Sequence, residues 1–176
     1  MSAKLLGFAA VAEIMDHERF AMVIRAELET VRNLLGSNMI VISGANTKLE
    51  LIFLRTCIEF RVPTIVLLKN IDPLIDEENS KLRHSLLSVS LATYLLPSST
   101  PANSILEWAD ALLCTCGDHE DEMLMDALAL GIPTRKLHSI NLSANWTLIP
   151  QPAHSPRHGF PTRRELLEFL DRRFHH

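Results

Sequence analysis

The strongest constraint in this chain is a change of hydrophobic period that occurs twice between residues 39 and 68. Met39-Ile40-Val41-Ile42 is an unbroken apolar run, the signature of a strand covered on both faces. Leu49, Ile52, Phe53, Thr56, Cys57 and Phe60 then recur at spacings of three and four, which describes one face of a helix. Thr47 and Glu50 stand at capping-box spacing ahead of that face. Pro63 ends the helix, and Thr64-Ile65-Val66-Leu67-Leu68 returns to the strand pattern. Two strands separated by one helix in so short a span point to a right-handed parallel crossover.

The same alternation recurs on both sides. Leu5 to Val11 reads as a short buried strand, and Phe20, Val23, Ile24, Leu28, Val31 and Leu35 give the helix that follows, stopped by Gly36-Ser37-Asn38. Ala111 to Cys116 is a further strand and Glu120 to Leu130 a helix. Gly131-Ile132-Pro133 ends that helix, and Thr134 to Ile140 is a fifth strand. Thr162 and Glu165 open a last helix whose buried face is Leu166, Leu167, Leu170 and Phe174. The expectation is an α/β, Rossmann-like three-layer sandwich with a mainly parallel five-stranded sheet, in a single domain over residues 1–174. Two stretches stay open. Asp76 to Leu96, polar through Arg83 and His84 and largely apolar from Leu86, fits two short helices, or a loop and a helix packed beside the sheet, and Asn145 to Ile149 fits an extra edge strand.

A chain of 176 residues is long enough to bury a substantial core. Its net charge of −4 argues against a protein that neutralises phosphate backbones, so no extended nucleic acid is expected. A single nucleotide remains compatible, because a few local donors suffice to hold it. No apolar run reaches membrane-spanning length. Residues 1–12 resemble a signal peptide only superficially, lacking a basic start, so a cytoplasmic location and no membrane partner are expected. Three cysteines make a disulfide framework unlikely on parity alone. Cys114 and Cys116 share a strand face and, with His119, would supply three zinc ligands. No fourth ligand has suitable spacing, so neither a metal nor a cofactor is expected.

In an open parallel sheet, ligands bind beyond the carboxyl ends of the strands. Three segments are expected to meet there: Ala9 to Glu13, Ser43 to Lys48, and Cys116 to Glu122. In the second, Gly44 permits close backbone approach and a helix N-terminus offers amides to an anion. The Ser43 and Thr47 hydroxyls and the Lys48 charge would add to these. The same residues also have an ordinary explanation as a turn, a cap and a solvated lysine. Neither GxxxxGK[ST] nor GxGxxG is present. The third segment, Gly117-Asp118-His119-Glu120-Asp121-Glu122, is acidic. Asp118 is expected to cap the helix with Asp121 in its first turn, and the carboxylates suit sugar hydroxyls or a cationic group better than phosphate. Glu122 is the preferred catalytic candidate and Asp118 the second. His154 to Gly159 reads first as a solvent-facing surface loop, and would bring Arg157 and two imidazoles to a phosphate only if it folds over the crevice. Trp108 and Trp146 would either stack on a base or pack inside.

The pieces Leu6-Gly7-Phe8, Ile42-Ser43-Gly44-Ala45, Phe60-Arg61-Val62-Pro63, Trp108-Ala109-Asp110-Ala111-Leu112-Leu113 and Ala129-Leu130-Gly131-Ile132-Pro133 stand in a familiar order. From about residue 5 to residue 140 that order resembles the SLOG superfamily, the Rossmann-like group that includes the LOG cytokinin-activating enzymes and the DprA/Smf proteins. The chain departs from the LOG pattern PGGxGTxxE. Cys116 to Glu122 carries carboxylates without the glycine run, which argues against LOG-like phosphoribohydrolase activity. A weaker similarity is to the nucleoside deoxyribosyltransferases, whose nucleophilic glutamate begins a late helix, near the place of Glu122. The resemblance implies binding or sensing of a nucleotide or nucleotide-derived small molecule. Amides after Ser43 and Gly44 would receive its anionic group, and Asp118 or Glu120, in the turn begun by Gly117, would orient its sugar hydroxyls. Two alternatives stay open. One is an N-glycosidic bond hydrolase or transferase, with Glu122 attacking the anomeric carbon or activating water. The other is a non-catalytic scaffold that forms a homo-oligomer through Leu86 to Leu96.

Overall fold

The computed structural model describes residues 2–69, 76–119, 121–150 and 156–174. Its elements run, in chain order, β1 (Lys4–Ala10), α1 (His17–Leu35), β2 (Met39–Gly44), α2 (Lys48–Glu59), β3 (Thr64–Leu68), α3 (Glu77–Val89) and β4 (Ala92–Leu95). After a 3₁₀ helix (Ala102–Glu107) come β5 (Ala111–Cys116), α4 (Glu122–Ala129), β6 (Thr134–His138), β7 (Ala144–Trp146) and α5 (Arg163–Phe174). The sheet has seven strands in the order β4-β3-β2-β1-β5-β6-β7. Every neighbouring pair is parallel except β6 and β7. The expected count of five is therefore too low. One extra strand, β4, arises inside the apolar Leu86–Leu96 stretch. The other, β7, begins one residue before the expected edge segment and spans only Ala144–Trp146.

The alternation of side chains along each strand divides the core in two. Leu6, Phe8, Val41 and Leu113 face α1 and α2, where they meet Phe20, Ile24, Leu28, Leu49 and Phe53. Phe8 stacks on Phe53 with ring centroids 4.0 Å apart. Leu5, Ile40, Ile42, Leu112 and Cys114 face the other way, toward Ile105, Leu106, Trp108, Met123, Leu166 and Leu170. Helices thus cover both faces, as parallel strands require. Gly7 sits where the 3₁₀ helix crosses β1. A Cβ there would come within 3.1 Å of the Ala109 Cβ and 3.2 Å of Ile105 Cδ1, so glycine sets how closely that helix approaches the sheet.

Two polar fastenings hold the edges of this arrangement. Glu27, only 8% exposed on α1, accepts two hydrogen bonds from the Arg135 guanidinium on β6, and Arg135 lies over the Trp146 ring. At the amino end of β5, the Asp110 carboxylate accepts hydrogen bonds from the Leu5 amide at 2.8 Å and the Arg157 amide at 2.6 Å. Arg157 in turn donates to the carbonyls of Leu106 and Ala109. His158 bonds to the Glu107 carbonyl oxygen and stacks on Phe160. The described part of the His154–Gly159 loop is therefore anchored at the amino end of β5. Arg157 and His158 thus do not take the place over the crevice that was one of the two readings of this loop, because the strand carboxyl ends lie at the opposite end of the sheet. His154 itself lies outside the described residues.

Candidate functional site

The strand order fixes where a cleft opens. From β1 the chain builds outward on one side through β2, β3 and β4, then returns to pair β5 with the other side of β1. The connections that leave β1 and β5 diverge, and a crevice forms above their carboxyl ends. A cavity of about 700 Å³ occupies that position. Its wall takes Phe8 to Val11 from the end of β1, Gly44, Asn46 and Glu50 from the β2–α2 junction, and Leu67 and Lys69 from the end of β3. Leu96 follows β4, the Thr100–Ile105 segment and Trp108 close one side, and Asp121 to Met123 at the start of α4 close another. This size is in the range of small-molecule sites.

The β2–α2 junction departs from a simple anion loop. Thr47 caps α2, its hydroxyl accepting from the Glu50 amide at 3.2 Å, while the Glu50 carboxylate accepts from the Thr47 amide at 3.0 Å. The Asn46 amide also donates to that carboxylate. Gly44 has no positive φ; a Cβ there would come within 2.9 Å of Glu50 Cδ, so the Glu50 carboxylate occupies the space that the missing side chain leaves. Burial pushes the Glu50 carboxyl above its ordinary value, against the lowering effect of the Thr47 hydroxyl and the two amides. The amides expected to receive a ligand's anionic group are thus already occupied by an anion of the chain itself.

Of the residues singled out by sequence, Gly44 and Glu122 line the cavity, together with Ala9 to Val11, Trp108 and Asp121. Ser43, Thr47, Lys48, Gly117 and Asp118 are placed elsewhere. Ser43 is fully buried and its hydroxyl donates to the Gly44 carbonyl at 2.9 Å. Thr47 is spent on its cap, and Lys48 is exposed outside the lining. Gly117 stands beside Ala12 and is absent from the wall. Asp118 neither caps α4 nor faces the cavity; its carboxylate is 3.0 Å from His138 Nε2 at the end of β6. The cap is Asp121, whose carboxylate accepts from the Met123 amide at 2.7 Å. Two acids three residues apart were both compatible with that role, and only the helix start at Glu122 decides between them. Glu120 lies outside the described residues.

Sequence reasoning did not single out Asn46, Glu50 and Lys69 as parts of the site. Glu50 was visible only as a capping-box partner. Trp108 was visible as an aromatic, with no sign of what its indole would face. The ring is 4% exposed and its Nε1–H is buried without a protein partner, as is the Asn46 Oδ1. Both residues belong to the cavity wall. A buried donor left unpaired costs about 1–3 kcal/mol, so a ligand that satisfies it recovers that amount on binding. Among the described residues, the charged groups of the wall are Glu50, Asp121, Glu122 and the single cation Lys69.

The chain matches no protein-family model, no curated protein and no solved structure.

Among the described residues, no three His, Cys, Asp or Glu side chains are grouped to hold a metal ion. Cys114 and Cys116 are buried in β5, and burial pushes the Cys114 thiol up to about 12. No described helix is long and apolar enough to cross a membrane.

Proposed function

We propose that the cavity binds a nucleotide or nucleotide-derived small molecule and that the chain acts as a Rossmann-like ligand-binding or sensing module. The observation that carries this reading is the pairing of an unpartnered Trp108 Nε1–H with an unpartnered Asn46 Oδ1 on the wall of one cavity above the β1/β5 divergence. A heterocyclic base offers both an acceptor and a donor on its edge. Leu67, Leu96 and Ile105 give its faces apolar surroundings. Asp121 and Glu122 are suited to accept from sugar hydroxyls, and an analogue lacking those hydroxyls would leave carboxylates unpaired. The reading accords with the resemblance to the SLOG superfamily.

Glu122 on the wall also supports a second reading, cleavage of an N-glycosidic bond with Glu122 as nucleophile or general base. The two readings separate in one experiment. Titration of the purified chain with a nucleoside and nucleotide panel, followed by tryptophan emission, should give saturable binding, because Trp108 reports directly on the cavity. Chromatography of the same mixtures shows whether free base appears. Binding without base supports the module. Base release that disappears in Glu122→Gln supports the enzyme. No saturable change across the panel refutes both.

A further inference from the structure

We infer that the cavity, read as a nucleotide-type site, selects the unphosphorylated nucleoside, because Glu50 fills the backbone niche that a phosphate would need. This inference rests on the functional reading above and names its substrate class.

A phosphate at a helix N-terminus requires free amides and an absence of competing negative charge. At α2 neither condition holds. The amides of Asn46 and Thr47 donate to the Glu50 carboxylate, and the Glu50 amide is taken by the Thr47 hydroxyl. The carboxylate lies in the space that Gly44 leaves by having no side chain. A phosphate arriving there would have to displace a group that is bonded to two amides and covalently tethered beside them.

Charge acts in the same direction. Asp121 and Glu122 face the cavity along with Glu50, and Lys69 is their one cationic counterweight among the described wall residues. A dianionic phosphate would therefore meet a negative field. The hydroxyls of a sugar and the polar edge of a base would meet acceptors that suit them, and the Trp108 indole supplies a donor. The tethered carboxylate thus has a function beyond capping α2: it converts an anion niche into an anion filter.

The test compares binding of adenosine, guanosine, cytidine and uridine with binding of their 5′-monophosphates, by isothermal titration at fixed ionic strength. In the wild-type chain, at least one nucleoside should bind about tenfold or more tighter than its monophosphate. Glu50→Ala empties the niche and removes the charge, so the monophosphate should gain about tenfold relative to the nucleoside. Glu50→Gln keeps an acceptor for the two amides without the charge and should gain less. Should Glu50→Ala fail to fold, as judged by circular dichroism, Glu50→Gln decides alone. Monophosphate binding as tight as nucleoside binding in the wild type, or a ratio unmoved in the variants, overturns the inference and leaves the binding site standing. Absence of binding by every compound overturns the binding site and the inference together.

Discussion

Asp110→Ala should loosen the fold at two places separated by 152 positions in the chain, Leu5 and Arg157, because one carboxylate holds both amides. Leu5 is fully buried at the start of the central strand, so its amide would lose the partner of a part-buried bond, at about 1–3 kcal/mol. The Arg157 amide lies on an exposed residue and can be rehydrated, so its loss adds less than about 1 kcal/mol. Against this, burial raises the Asp110 carboxyl above its ordinary value, and removing the group relieves that desolvation penalty. The balance falls near ~2 kcal/mol of destabilisation. For a chain of 176 residues this corresponds to a melting shift of about 4–8 °C. Urea unfolding by circular dichroism measures the first number. Trypsin cleavage after Arg157 should accelerate in parallel, since that side chain is otherwise held by the Leu106 and Ala109 carbonyls. A loss under ~0.5 kcal/mol with unchanged cleavage would show that the carboxylate does not fasten the two segments.

Trp108→Phe keeps an aromatic ring but removes an N–H that has no protein partner, so unfolding stability should stay within about 1 kcal/mol of wild type while affinity for the cavity's ligand falls several-fold; parallel urea and binding titrations test the opposite responses. Glu27→Ala strands the largely buried Arg135 guanidinium and should cost about 3–5 kcal/mol in urea unfolding, whereas a surface pair such as Arg164–Glu168 should cost under about 1 kcal/mol. The Glu50 carboxyl titrates above its ordinary 4.5 in the folded state, so the native protein holds its proton longer than the unfolded chain does. Its stabilising contribution is full below pH 4.5 and is lost as pH rises through the shifted value. Wild-type stability minus that of Glu50→Gln should therefore decline upward from pH 4.5, and a rising difference would show that the amides outweigh burial.

The parallel core of this fold is legible in the sequence because buried strands are continuous apolar runs, and β1, β2, β3 and β5 all have that form. The edges are not. In β4 only Tyr94 is buried among four residues, so neither a continuous run nor a convincing alternation marks it, and the apolar surroundings suggested a helix. In β7 three residues suffice because they need only pair with β6. The candidate site divides along similar lines. Gly44 was legible as a place of close approach, but the atom that approaches, the Glu50 carboxylate, was expected to be a ligand's. Capping-box spacing records that a carboxylate turns back toward the helix start, not that it also lines a cavity. An unpaired indole N–H leaves no trace in a sequence, since every tryptophan carries one.

The ring of Phe174 stands edge-on to Trp108 at 4.6 Å and 5.0 Å from Tyr94. One phenyl group at the end of α5 thus braces both the outermost parallel strand and the indole that borders the cleft. Whatever tugs on α5, whether a fused partner or a neighbouring subunit, has a mechanical route of a single contact to that indole. Sequence fused to α5 should be treated as a handle on that indole and not as a neutral extension.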